Sequence, residues 1–219
     1  MTYQRNENVV AWHKHIFGGR SRTGKTTTVQ SKSFTANATN VNTTNNTITI
    51  TGHGFNVAVP VSYFAASNKI DGLEHDRFYF VNVVDANTIK LSNTVDGAIA
   101  GTDIVSLRSA PATDTTQSIT QGVNLVNGVF YSGGHGFGNG DFVYLECPDN
   151  LVIGGLNKTD KFFVDPIDNN LFKLATDIDL DNYVTLSNAP TSFVNYSWLT
   201  HAKVESVAVI PGEGAEDVL

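Results

Sequence analysis

An all-β protein is predicted by three observations on this 219-residue chain. Thr and Asn make up about a fifth of it while Leu, Lys, Glu and Met are scarce, a composition poor in helix formers. Apolar residues nowhere recur at helical spacing over three turns; short β-branched or aromatic runs bounded by Gly, Asn and Asp come instead, every 8 to 15 residues. The third observation is an internal repeat.

Gly52-His53-Gly54-Phe55 returns as Gly134-His135-Gly136-Phe137, 82 positions on. Further along, Gly72-Leu73 matches Gly155-Leu156, Phe80-Val81 matches Phe163-Val164, and the run 85–91 matches 168–174, all 83 positions apart. A single one-residue gap reconciles every match. Each copy then reads as a strand (47–51; 129–132), a Gly-rich turn, a second strand (57–64; 142–146) and a variable loop ending in Gly-Leu. A third strand (77–84; 161–165), an Asp/Asn turn, a fourth strand (88–92; 171–175) and a closing strand (104–107; 183–186) follow. So many short strands in so few residues would leave an apolar face wet if laid flat, so a small closed barrel or tight sandwich is expected for each copy.

The expected fold is therefore two tandem small β-barrel modules on a two-stranded terminal stem. Residues 34–110 and 125–195 are the modules. Residues 18–33 and 111–124, small, polar and in the second case broken by Pro111, are expected linkers. Residues 1–17 and 202–219 carry alternating strand-like stretches, at 8–17 and 203–210, that can pair as the stem hairpin.

The run His135-Gly136-Phe137-Gly138-Asn139-Gly140-Asp141-Phe142-Val143, with Gly155-Leu156-Asn157, Phe163-Val164 and 171–175, resembles the small barrel known as the first catalytic-cysteine half-domain of ubiquitin-activating enzymes, a module that recurs in bacteriophage tail proteins. The first copy departs from it, with Ala58-Val59 where the second has Gly140-Asp141. The flanks, Glu7-Asn8-Val9-Val10-Ala11-Trp12-His13-Lys14-His15 and 204–212 with 216–219, are similar to the β-rich nozzle or tubular proteins of short-tailed phages. In those the second stretch runs on into a further strand, so the resemblance implies a piece of a longer tail protein. It also implies a virion location, other tail subunits as partners, a homo-oligomer in the parent tail, and a structural rather than enzymatic role.

The net charge of -7 with only 14 Lys and Arg argues against nucleic acid, which is gripped through many cationic contacts. Apolar runs such as 78–84 fall well short of the roughly 20 residues that cross a bilayer. Cys147, alone, excludes an intramolecular disulfide.

Chemistry-bearing motifs fail on context. Gly19-Arg20-Ser21-Arg22-Thr23-Gly24-Lys25-Thr26 satisfies the phosphate-binding loop pattern, but a polar β-branched stretch follows where a helix is required, so a cationic linker is expected. His13 and His15 share a strand face without a third metal ligand, and Asp177-Ile178-Asp179-Leu180-Asp181-Asn182 lacks the Gly and Glu of a calcium loop. No catalytic, cofactor or metal site is assigned. The repeated turns, Gly52, His53, Gly54, Phe55 and Gly134, His135, Gly136, Phe137, are expected to be structural, with each His hydrogen-bonding its own turn. A second reading is a glycan- or receptor-binding module for host recognition, with Tyr63, Phe64, Tyr196 and Trp198 as candidate exposed aromatics.

Overall fold

The computed structural model describes residues 25–200, so the expected terminal stem (1–17 with 202–219) lies outside the described residues. The described residues form thirteen strands: β1(Lys25–Ala36), β2(Val41–Asn42), β3(Thr47–Thr49), β4(Pro60–Ala65), β5(Phe78–Asp85), β6(Thr88–Ser92), β7(Thr115–Gln121), β8(Val123–Asn124), β9(Val129–Tyr131), β10(Phe142–Glu146), β11(Lys161–Pro166), β12(Leu171–Ala175) and β13(Val194–Leu199). They form one continuous, open antiparallel sheet in the order β2-β3-β6-β5-β4-β7-β1-β13-β10-β11-β12-β9-β8.

Read outward from β1, the two sides are the same structure. One runs β7, β4, β5, β6, β3, β2 and the other β13, β10, β11, β12, β9, β8. The register repeats too: Pro60↔Phe80 corresponds to Phe142↔Phe163, Val81↔Leu91 to Val164↔Leu174, and Ile48↔Ile89 to Phe130↔Phe172. Every one of these pairs keeps the 82 or 83 offset of the sequence. Each side buries its own cluster, around Tyr63, Tyr79, Ile48 and Ile89 in the first half and Phe130, Phe162, Phe172 and Trp198 in the second.

The expected linkers are corrected. Residues 18–33 were to join stem to module, yet Lys25–Ala36 is the longest strand among the described residues and the one both halves share. Its first part, Lys25 to Val29, pairs with β13, and its second, Gln30 to Ala36, pairs with β7. The buried side chains switch parity along it, from Thr27 and Val29 to Phe34 and Ala36, with Val29 and Gln30 both buried at the change. A strand must change the face it presents when it passes from one core to another, because side chains alternate with period two. Residues 111–124 likewise contain β7, whose Ile119 joins the first core, and Val123, which joins the second. The halves therefore extend beyond 34–110 and 125–195, and the polar break is confined to the loop before Thr115.

Two further differences are local. The closing strands expected at 104–107 and 183–186 are reduced to single bridges, Ser92↔Ile104 and Ala175↔Tyr183. The first half also carries a one-and-a-half-turn helix, α1(Val95–Ala100), capped by the Thr94 hydroxyl, which accepts from Gly97 N, and ended by Gly101 at φ 70°. Six residues are too few for helical periodicity to register in a sequence.

Candidate interaction surface

The repeated Gly-His-Gly-Phe turns are built alike. His53 Nδ1 accepts from Phe55 N at 3.0 Å, and His135 Nδ1 accepts from Phe137 N at the same distance. A backbone N–H can only donate, so each Nδ1 is bare and each Nε2 carries the proton, which it donates to Asp85 O (2.9 Å) or Asp168 O (2.7 Å). The following Asx turns complete the clasp: Asn87 Oδ1 accepts from Gly52 N, and Asn170 Oδ1 from Gly134 N. Both imidazoles are buried and stacked on their own Phe, at 5.7 and 5.2 Å. Both ring nitrogens of each histidine are hydrogen-bonded to the backbone, so these residues lock the β3–β6 and β9–β12 ends.

Three of the four candidate surface aromatics are corrected to core. Tyr63 is buried, donating to Gln117 Oε1 at 2.5 Å while accepting from Ile70 N at 2.8 Å, and burial pushes its phenol up to about 12. Tyr196 and Trp198 are fully buried; Tyr196 donates to Leu151 O and its phenol too is raised by burial, and the Trp198 indole donates to Thr27 Oγ1. They sit at inward positions of strands whose alternation is hidden by Thr, Ser and Asn neighbours. Phe64 alone is exposed, at 45%, beside His75.

Of the other candidate motifs, His13, His15 and the loop residues Gly19 to Gly24 lie outside the described residues. Lys25 and Thr26 of the phosphate-loop match begin β1, a strand paired with Trp198 and Ser197, and Lys25 Nζ donates to Gly134 O at 2.8 Å. Asp177 organises its own loop by accepting from Asp181 N and Asn182 Nδ2. Among the described residues no group of three or more His, Cys, Asp or Glu could hold a metal ion. The Cys147 thiol is buried, and burial raises its pKa, so the thiolate is disfavoured.

What the fold does assemble is a joint. The β8–β9 end of the second half packs on the outer face of β4 and β5. Asn124 Nδ2 donates to His75 O at 2.7 Å and Asn127 Nδ2 to Asp76 O at 3.2 Å. Ser62 Oγ donates to Val123 O at 2.8 Å, and the Tyr131 ring meets Phe78 and Phe80 edge-on at 5.8 and 6.0 Å. Gly122 makes the turn between β7 and β8, where a Cβ would lie 2.1 Å from Thr28 O. Ser62 points outward from its strand yet is buried, because the other half covers it.

The equivalent face of the second half carries different side chains. The offset carries Pro60, Ser62, Phe78 and Phe80 onto Phe142, Tyr144, Lys161 and Phe163. Phe142 and Lys161 are exposed, Tyr144 and Phe163 half-buried. Lys161 Nζ lies over both Phe163 (4.8 Å) and Phe142 (5.4 Å), an arrangement in which a cation sits on the negative ring faces. Beside them Tyr183, 46% exposed, donates to Asp165 Oδ2 at 2.6 Å beneath the Lys173 ammonium. Sequence reasoning passed over this face because its aromatics alternate with the core residues Val143, Leu145, Phe162 and Val164 in strands that read as wholly apolar. Comparison with the register of the first half is the signal that finds it.

No family model, curated protein or solved structure matches the chain.

Proposed function

We propose that the chain is a structural, non-enzymatic component of a bacteriophage tail, of the nozzle or tubular kind, residing in the virion among other tail subunits. Its two halves serve as the small barrel-like modules expected from the repeat, acting as packing or interaction domains. The observation that carries this reading is the sharing of β1 by two cores. A pair of modules threaded on one strand and joined by side-chain hydrogen bonds keeps a fixed mutual orientation, which a load-bearing part requires and a tethered pair of domains lacks. The similarity of the flanking segments to tail proteins supplies the biological setting. Mass spectrometry of purified parent particles together with a cryo-electron microscopy map tests it: two-lobed density on the tail is expected, and particles without this chain would overturn the reading.

A second reading, a glycan- or receptor-binding module, is favoured by the exposed Tyr183 and Phe142, each beside a lysine. Aromatic faces flanked by polar groups suit sugar stacking. A glycan array with the wild type and Tyr183→Ala tests it; binding lost on that substitution supports recognition, and no bound glycan removes it.

A further inference from the structure

We propose that Asn127 is a self-modification site: the backbone nitrogen of Gly128 attacks its side-chain amide, and the carboxylate that results loosens the joint between the halves. Attack of this kind is least hindered in an Asn-Gly pair, because glycine has no Cβ to shield its nitrogen. The chain contains two such pairs, Asn127-Gly128 and Asn139-Gly140. Their surroundings separate them.

The turn between β8 and β9 is pinned by its own asparagines. Asn124 Oδ1 accepts from Val126 N at 3.0 Å and from Asn127 N at 3.4 Å, and Asn127 Oδ1 accepts from Val129 N at 3.3 Å. The last bond closes an Asx turn, which wraps the Asn127 side-chain carbonyl back over the intervening Gly128 N. Among the described residues no hydrogen bond engages Gly128 N, so nothing holds its proton in place. Gly140 N, by contrast, donates to Val164 O at 2.9 Å. The equivalent turn of the first half, 82 positions earlier, is a third comparison. There Asn45 is followed by Asn46, whose Cβ flanks the nitrogen and whose Oδ1 accepts from Leu107 N.

The step needs no catalyst or oxidant. A bond forms from Gly128 N to Asn127 Cγ as that nitrogen loses its proton. The bond from Cγ to Nδ2 breaks, the amide nitrogen leaves as ammonia, and a five-membered succinimide remains. Water then opens either ring carbonyl, giving aspartate or isoaspartate, and both residues of the pair are partly exposed to it. In the intact protein Asn127 Nδ2 donates to Asp76 O at 3.2 Å across the joint. A carboxylate at that position has no proton to give and sets a charged oxygen against a carbonyl oxygen. Isoaspartate also inserts a methylene into the main chain of the turn from which Asn124 reaches His75 O. The inference rests on the geometry of the joint and is independent of the tail reading.

Ageing the full chain at mildly alkaline pH, followed by peptide mapping, tests it. The peptide holding Asn127 is expected to exchange amine for hydroxyl several-fold faster than those holding Asn139 and Asn45, and to contain isoaspartate. Hydrogen exchange on the aged protein should show the amides of 123–131 opening sooner, with those of β11 unchanged. Asn127→Gln, whose longer side chain would have to close a larger ring, should exchange after ageing as it did before. An Asn127 that stays intact, or converts after Asn139 or Asn45, would overturn the inference. So would converted protein whose joint amides exchange like those of the fresh chain.

Discussion

Trp198 and Thr27, 171 residues apart and both fully buried, are joined by a 2.9 Å hydrogen bond from the indole N–H to the threonine hydroxyl. The bond ties the last strand of the second half to the N-terminal part of β1, whose other part closes the first half. The indole also meets Phe130 and Phe172 edge-on, so this corner anchors the second core to a strand that precedes the first.

Thr27→Val keeps the shape and removes the acceptor, leaving a buried indole N–H unsatisfied. A loss of about 1–3 kcal/mol is expected, read from urea unfolding followed by Trp fluorescence. An unchanged midpoint would mean that the bond does not stabilise the fold.

Because β1 belongs to both cores, a fragment beginning at residue 111 lacks the strand that flanks β13. It is expected to be unfolded by circular dichroism, and to gain structure when a peptide of residues 25–36 is added. Cooperative folding of the fragment alone would show that the second half is self-sufficient. The wild type should correspondingly unfold in one transition, with no separately melting half.

Gly155 and Gly134 both have positive φ, 96° and 58°, but their surroundings differ. A Cβ on Gly155 would lie 2.1 Å from Thr185 O, whereas one on Gly134 would meet nothing within 4 Å. Gly134→Ala is expected to cost about 1–2 kcal/mol from backbone strain alone. Gly155→Ala, and Gly72→Ala with Ser106 O at 2.2 Å, should cost more, above ~3 kcal/mol, because a backbone carbonyl must also move. Equal denaturation midpoints for Gly134→Ala and Gly155→Ala would contradict this.

Burial raises the phenol of Tyr63 to about 12 and raises that of Tyr196, against an unfolded value near 10. Between those values the folded state holds more protons than the unfolded one, so stability is fully present below about pH 10 and falls as pH climbs toward 12. Among the seven tyrosines, absorbance at ~295 nm should show a class that ionises late and together with unfolding. A single ordinary titration of all of them in the folded protein would contradict the burial.

The all-β class, the repeat and its offset, and the strands at 88–92, 142–146 and 171–175 were legible in the sequence because they depend on local turn chemistry. Asp85 and Asp168 each close an Asx turn through their own neighbours, Asn87 N and Asn170 N, and a turn of that kind is written in consecutive residues. The Gly-Leu pairs were legible as landmarks of the repeat, whereas the close approach of Ser106 O to Gly72 and of Thr185 O to Gly155 was not, because those carbonyls lie about 30 residues away.

Where β1 and β7 belong and which aromatics are buried depend on contacts between strands remote in sequence. Lys25–Ala36 carries Thr, Ser, Gln and Lys at most positions, and its apolar residues Val29 and Phe34 fall on opposite parities because they enter different cores. A period-two test fails on such a strand although it pairs along nearly its whole length. Tyr196 is an inward residue and Tyr144 an outward one, a distinction set by pairing with strands remote in sequence. Partner choice is non-local, and an outward position such as Ser62 is buried because the other half lies against it.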